Sequence, residues 1–225
     1  MKRYSWKRST LVIVCSILIT LTLYAFFQKR GDRPVVAIVQ SPQNEKLQTT
    51  CLAEIIELSV DHPISFAHFP VKEAEKRLCS HAIFQEAYVQ KMRPNVLYIE
   101  YALRTPVAQL GSQTNTAVDA EGNFFPLAPF YKPRALPLYY PGKNDLEIFR
   151  ELITHNFKMI DLSQIHAPTL GKKQIVVKTQ NDALLRLSVK RYKKELEWYS
   201  RLEKKIEVSG KIIDLRIPKV AYIDE

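Results

Sequence analysis

The residues from Ser9 to Gln28 form a run of twenty without a formal charge. Lys2, Arg3, Lys7 and Arg8 precede it, and Lys29, Arg30 and Arg33 follow it. Wound as a helix at about 1.5 Å per residue, the run measures about 30 Å, the thickness of a bilayer's hydrocarbon core. No second run of this kind follows. The pattern predicts a cytoplasmic tail over 1–8, a transmembrane helix over 9–28 that holds the chain to the lipid bilayer, and an exported folded part. The small excess of cations ahead of the run favours a cytoplasmic N-terminus. A cleaved leader would carry a shorter apolar stretch ending in a small-x-small site, and Leu23-Tyr24-Ala25-Phe26-Phe27 offers none.

Charge and composition narrow the classes further. Hydrophobic residues make up 46% of the chain and aromatics 10%, too rich for a disordered polymer and enough to build real cores. The net charge is +10, a balance that in an intracellular chain would suggest nucleic acid. Here the cations gather at the flanks of the apolar run and between Arg186 and Lys205. That distribution reads as anchor flanks plus a solvated helix face, with no nucleic-acid partner. The three cysteines are Cys15, Cys51 and Cys79; the last two fall on predicted helices and are expected to stay unpaired. The five histidines show no ligand spacing, so no metal and no cofactor is expected.

From Pro34 to Arg104 the periodicities read β-α-α-β-β. Val35–Val39 is a short β-type run, and Leu47–Leu58 carries a one-sided apolar stripe. Phe69-Pro70 opens a second helix, with proline in its first turn. Two alternating runs, Glu86–Met92 and Val96–Leu103, flank Arg93-Pro94-Asn95 as a hairpin. From 105 to 225 the chain reads as mainly β. Asp119-Ala120-Glu121-Gly122 is a hairpin turn, Asp145–His155 a helix capped by Asn144, and Ser188 the cap of a helix through Leu202. Five prolines between Pro126 and Pro141 argue for an ordered loop and against a central strand. Ile212–Ile223 reads as one strand interrupted by Pro218. Proline cannot donate to a ladder, so this last strand is expected at a sheet edge, where another chain can add to it.

The order of motifs resembles the FtsQ/DivIB family of bitopic bacterial cell-division proteins. Arg104-Thr105-Pro106-Val107-Ala108 is similar to that family's charged-x-Pro-Val-Ala step, with Arg104 and Pro106 at its fixed positions. Val118–Phe125 is similar to its Val-Asp-x-x-Gly-x-x-Phe hairpin, with Asp119 and Gly122. Leu136-Pro137 with Gly142 resembles its Leu-Pro-x-Leu-x-Gly loop, and Ile213-Asp214-Leu215-Arg216 its Ile-Asp-Leu-Arg strand. The family's Tyr-Pro-x-Gly type turn is replaced by Ile217-Pro218-Lys219-Val220, without glycine.

The resemblance implies an α+β protein with a single N-terminal transmembrane helix. A POTRA domain over 34–104 and a mainly antiparallel β domain with one or two helices over 105–225 would follow it. It implies a single-pass type II protein of the cell inner membrane, with a periplasmic C-terminal domain at the division septum. It also implies a non-enzymatic scaffold linking FtsB/FtsL-like divisome proteins and so controlling septal peptidoglycan synthesis. The contact zone it implies is Lys219, Val220, Ala221, Tyr222 and Ile223. An anchored envelope enzyme and a POTRA-type secretion factor are the competing classes. Against the first, the sequence has no G-x-S-x-G, H-E-x-x-H, G-x-x-x-x-G-K or G-x-G-x-x-G motif. Asp214 and Arg216, two apart on a strand, share one face and are expected to form a structural ion pair; Asp119 is expected to fix its turn.

Overall fold

The computed structural model describes residues 15–24, 33–59, 61, 63–168 and 173–224. The fold is α+β, and the chain divides into two compact units that part between Leu103 and Arg104.

Helix α1 is described over residues 15–24. Among the described residues no helix is long and apolar enough to cross a membrane. This contradicts the transmembrane helix expected over 9–28; its remaining residues, like the tail over 1–8, lie outside the described residues. The run is uncharged without being purely apolar. Thr20 and Thr22 sit within it, and their hydroxyls donate back to the carbonyls of Ser16 (2.5 Å) and Leu18 (2.8 Å).

The first unit runs β1 (Ala37–Pro42), α2 (Thr49–Ile55), α3 (Val71–Ser80), β2 (Phe84–Met92), β3 (Val96–Leu103). Its sheet has the order β1-β3-β2, with β1 parallel and β2 antiparallel to the central strand. The apolar stripes of the helices supply Leu52, Ala74 and Leu78 to a core shared with Val89, Leu97, Ile99 and Tyr101. The buried Tyr101 hydroxyl ties three elements together: it donates to Gln40 Oε1 (2.9 Å) and accepts from the Leu47 N–H (2.9 Å). Beyond β1, the Asn44 side chain donates to the Leu103 carbonyl (2.6 Å) and accepts from its N–H (3.1 Å), continuing the ladder where Pro42 ends the strand. Cys51 and Cys79 are free thiols on separate helices. Labelling of the unreduced, unfolded chain is therefore expected to modify both, and full protection of the pair would contradict the arrangement.

The second unit is one nine-stranded sheet. Its strands are β4 (Ala108–Leu110), β5 (Thr116–Val118), β6 (Phe124–Pro126), β7 (Leu138–Tyr140), β8 (Met159–Asp161), β9 (Ile175–Lys178), β10 (Leu184–Leu187), β11 (Ile212–Asp214) and β12 (Tyr222–Asp224). They lie in the order β12-β11-β10-β9-β8-β7-β4-β5-β6. Five of the eight pairings are antiparallel and three parallel, so the sheet is mixed. Helices α4 (Leu146–Leu152) and α5 (Tyr192–Leu202) add Phe149, Leu152, Leu196 and Tyr199 to the buried cluster around Ile160, Val177, Leu185 and Ile213.

Three expectations fail here for local physical reasons. Strand β7 lies inside the proline-rich stretch yet is central, parallel to both β4 and β8. The prolines bracket it: Leu138 donates to the Lys158 carbonyl (2.9 Å), while Pro137, which has no N–H, accepts from Gln109 (2.8 Å). Asn144 is not the cap of α4; Asp145 holds that position, and its carboxylate is turned to the Tyr139 hydroxyl (2.5 Å) and the Gly142 N–H (2.6 Å). Ser188 does not start α5. Its N–H (2.7 Å) and hydroxyl (2.5 Å) both donate to the buried Glu195 carboxylate, and the helix begins at Tyr192. At Gly142 an added Cβ would run into the Leu162 carbonyl oxygen. Gly142→Ala is expected to destabilise the second unit by about 1–3 kcal/mol, read by chemical denaturation.

Candidate binding edge

The last element is a hairpin, and this corrects the reading of one strand over Ile212–Ile223. Pro218 sits in its turn. The Val220 N–H donates to the Ile217 carbonyl (3.3 Å), and Lys219 has φ 65°. Proline at the second and a left-handed residue at the third position are the marks of a type II turn. Lysine stands where glycine is usual, which costs about 1–2 kcal/mol in the left-handed region. The x-Pro-x-x spacing was the signal in the sequence that could have located this turn.

β12 is one of the two edge strands of the sheet, β6 being the other. The direction of its free groups follows from its neighbours. The Leu215 N–H donates to Arg186 O (3.0 Å), and the Lys211 carbonyl accepts from Leu184 N–H (2.9 Å). Odd-numbered residues along β11 therefore turn their main-chain groups toward β10, and Ile212 and Asp214 turn theirs toward β12. Ile212 is opposite Asp224 and Asp214 opposite Tyr222, so these are the hydrogen-bonded pairs of the antiparallel ladder. Ile223, between them, points its N–H and C=O outward, where the described residues supply no further strand.

The five residues expected to form a contact zone thus have different places. Lys219 and Val220 are turn residues, and the Val220 N–H is already engaged. Ala221 is half-buried and leads into the strand. Tyr222, 64% exposed, lies on the face of the sheet opposite Ile223; the Ile223 side chain pairs with the buried Ile213. The strand itself runs one residue beyond this zone, to Asp224. Beside the turn, a depression of about 400 Å³ is lined by Arg191, Lys194, Trp198, Leu215, Ile217 and Lys219.

Asp214 and Arg216 form the ion pair expected of them, at the inner strand of the hairpin. Arg216 Nε and Nη2 reach the carboxylate at 2.9 and 2.5 Å, and the Arg216 N–H adds a bond of 3.0 Å. Burial pushes the Asp214 carboxyl up, but the bonds and charge of Arg216 outweigh it and hold it below its ordinary value. The pair holds the chain as it leaves β11 for the turn.

The other motif residues lie at the opposite end of the sheet. Asp119 closes the β5–β6 turn by accepting from the Asn123 N–H (2.8 Å) and side-chain amide (3.0 Å) and from Arg104 Nη1 (2.9 Å). Burial raises the Asp119 carboxyl, and these bonds more than reverse that. Gly122, at φ 88°, supplies the left-handed residue of the turn. Pro106 is buried beside Arg104, whose carbonyl accepts from the Tyr131 hydroxyl (2.8 Å). The structure does not bring this cluster to the edge at β12; β6 and β12 are the two ends of the strand order. Among the described residues no group of histidine, cysteine and carboxylate side chains is placed to hold a metal ion. No protein-family model matches the chain, and no curated protein matches it.

Proposed function

We propose that this protein is a non-enzymatic scaffold of the bacterial cell-division machinery. It links FtsB/FtsL-like partners at the septum, outside the cytoplasm, and through them controls septal peptidoglycan synthesis. The observation that carries the reading is the edge at β12: a three-residue strand, exposed at all three residues, with the main-chain groups of Ile223 turned outward. Such an edge accepts an extended segment of another chain as a further strand. Supporting it are the β-α-α-β-β order of the first unit, which is that of a POTRA domain, and the motif residues Arg104, Asp119, Gly122, Asp214 and Arg216 in structural roles. The reading assigns partner recognition to Ala221, Tyr222, Ile223 and Asp224, with Lys219 and Val220 shaping the approach.

The depletion experiment discriminates this from an enzyme. Loss of the protein is expected to give filaments that fail to form septa, with division restored by the wild-type chain. Normal division with a lost hydrolytic or transferase activity in the envelope would refute the scaffold reading.

A further inference from the structure

Strands β8, β10 and β11 end, and β9 begins, at one end of the second unit's sheet, as their pairing directions require. Described residues near that end of the sheet line a depression of about 710 Å³. Its polar wall consists of His166, Lys173, Ser188, Lys190, Arg191, Asp214 and Arg216. Four permanent cations thus face one carboxylate. That carboxylate is committed, because Arg216 engages both Asp214 oxygens. Behind the wall, Glu195 is committed as well, taking both donors of Ser188 and lying 3.4 Å from Arg191 Nη2. Lys173 and Lys190 form no ion pair among the described residues.

We infer that this depression is a binding site for a phosphate-bearing anion. Lys173 and Lys190 supply the uncommitted charge, and Arg191 and Arg216 form the cationic back of the site. Two free ammonium groups match the charge of about −1.5 to −2 that a phosphate monoester carries at neutral pH. A single carboxylate would leave one of them unpaired. The site stands apart from the binding edge, since none of residues 219–224 lines it. Two sources present the same chemistry, a soluble phosphate ester and an anionic lipid headgroup.

The test uses the full chain in three forms: wild type, Lys173→Gln with Lys190→Gln, and Lys204→Gln with Lys205→Gln. The last pair removes the same charge from exposed residues outside the depression. Calorimetric titration with inorganic phosphate is expected to show saturable binding by the wild type, weakened about tenfold or more in the first variant and within about twofold in the second. All three chains should melt alike. Co-sedimentation with phosphatidylglycerol vesicles and not with phosphatidylcholine vesicles, lost only in the first variant, would assign the headgroup. Phosphate binding without vesicle retention would assign a soluble ester. No saturable phosphate binding, or an equal loss in both double variants, would overturn the site.

Discussion

Asp119→Ala is expected to destabilise the second unit by about 3–5 kcal/mol, the loss typical when one partner of a buried ion pair is removed. The carboxylate is nearly inaccessible, and it accepts from a guanidinium, a main-chain N–H and a side-chain amide at once. Alanine removes the acceptor that these three donors share, and its methyl group cannot replace it. For a unit of this size the melting temperature should fall by roughly ten degrees or more. The pH dependence has a fixed sign. The folded Asp119 carboxyl lies below its ordinary value of 3.8, so its stabilisation is present above that value and is lost as pH falls through the lower, folded value. Wild type should therefore lose stability on acidification below about pH 4 more steeply than Asp119→Ala. A loss under about 1 kcal/mol, near that of one ordinary hydrogen bond, would mean that Arg104 and Asn123 find other partners.

The second large effect falls on partner binding. Ile223→Pro removes an N–H that points away from β11, so the hairpin ladder stays intact and the chain folds; proline is tolerated on edge strands for this reason. An added strand loses that donor and meets the ring, and binding of an FtsB-like segment should weaken at least about tenfold. Tyr222→Pro removes an N–H that faces Asp214, so it should loosen the hairpin itself. Tyr222→Ala, which leaves the main chain alone, should cost about 1–2 kcal/mol of binding if the partner covers the ring. Equal binding by wild type and Ile223→Pro would move the contact away from this edge.

Where local chemistry alone decides the outcome, the fold was legible in the sequence. The alternation in Glu86–Met92 and Val96–Leu103 has its structural counterpart in the β2–β3 hairpin, and the Asp-x-x-Gly signal in the β5–β6 turn. At the starts of α4 and α5 one cause operates: a residue's local preference is overridden by a partner elsewhere in the fold. Asp145 and Ser188 carry local capping chemistry, yet one serves Tyr139 and Gly142 and the other a carboxylate seven positions on. The prolines around β7 argue locally for a loop, although three residues between two prolines suffice for a short parallel strand with a partner on each side. At the binding edge the residues were legible and their orientation was not. Which N–H faces outward depends on the register of β11 against β10, and nothing in residues 219–224 encodes it.

Amide hydrogen exchange at single-residue resolution, with and without an FtsB-like partner, tests the central claim most directly. In the free protein the Ile223 amide should exchange freely, while those of Tyr222 and Asp224, bonded to β11, are slowed. On complex formation the Ile223 amide should become strongly protected, with little change at its two neighbours. Partner binding that leaves Ile223 as exposed as before would contradict strand addition at this edge, and with it the proposed means by which the protein holds its partners.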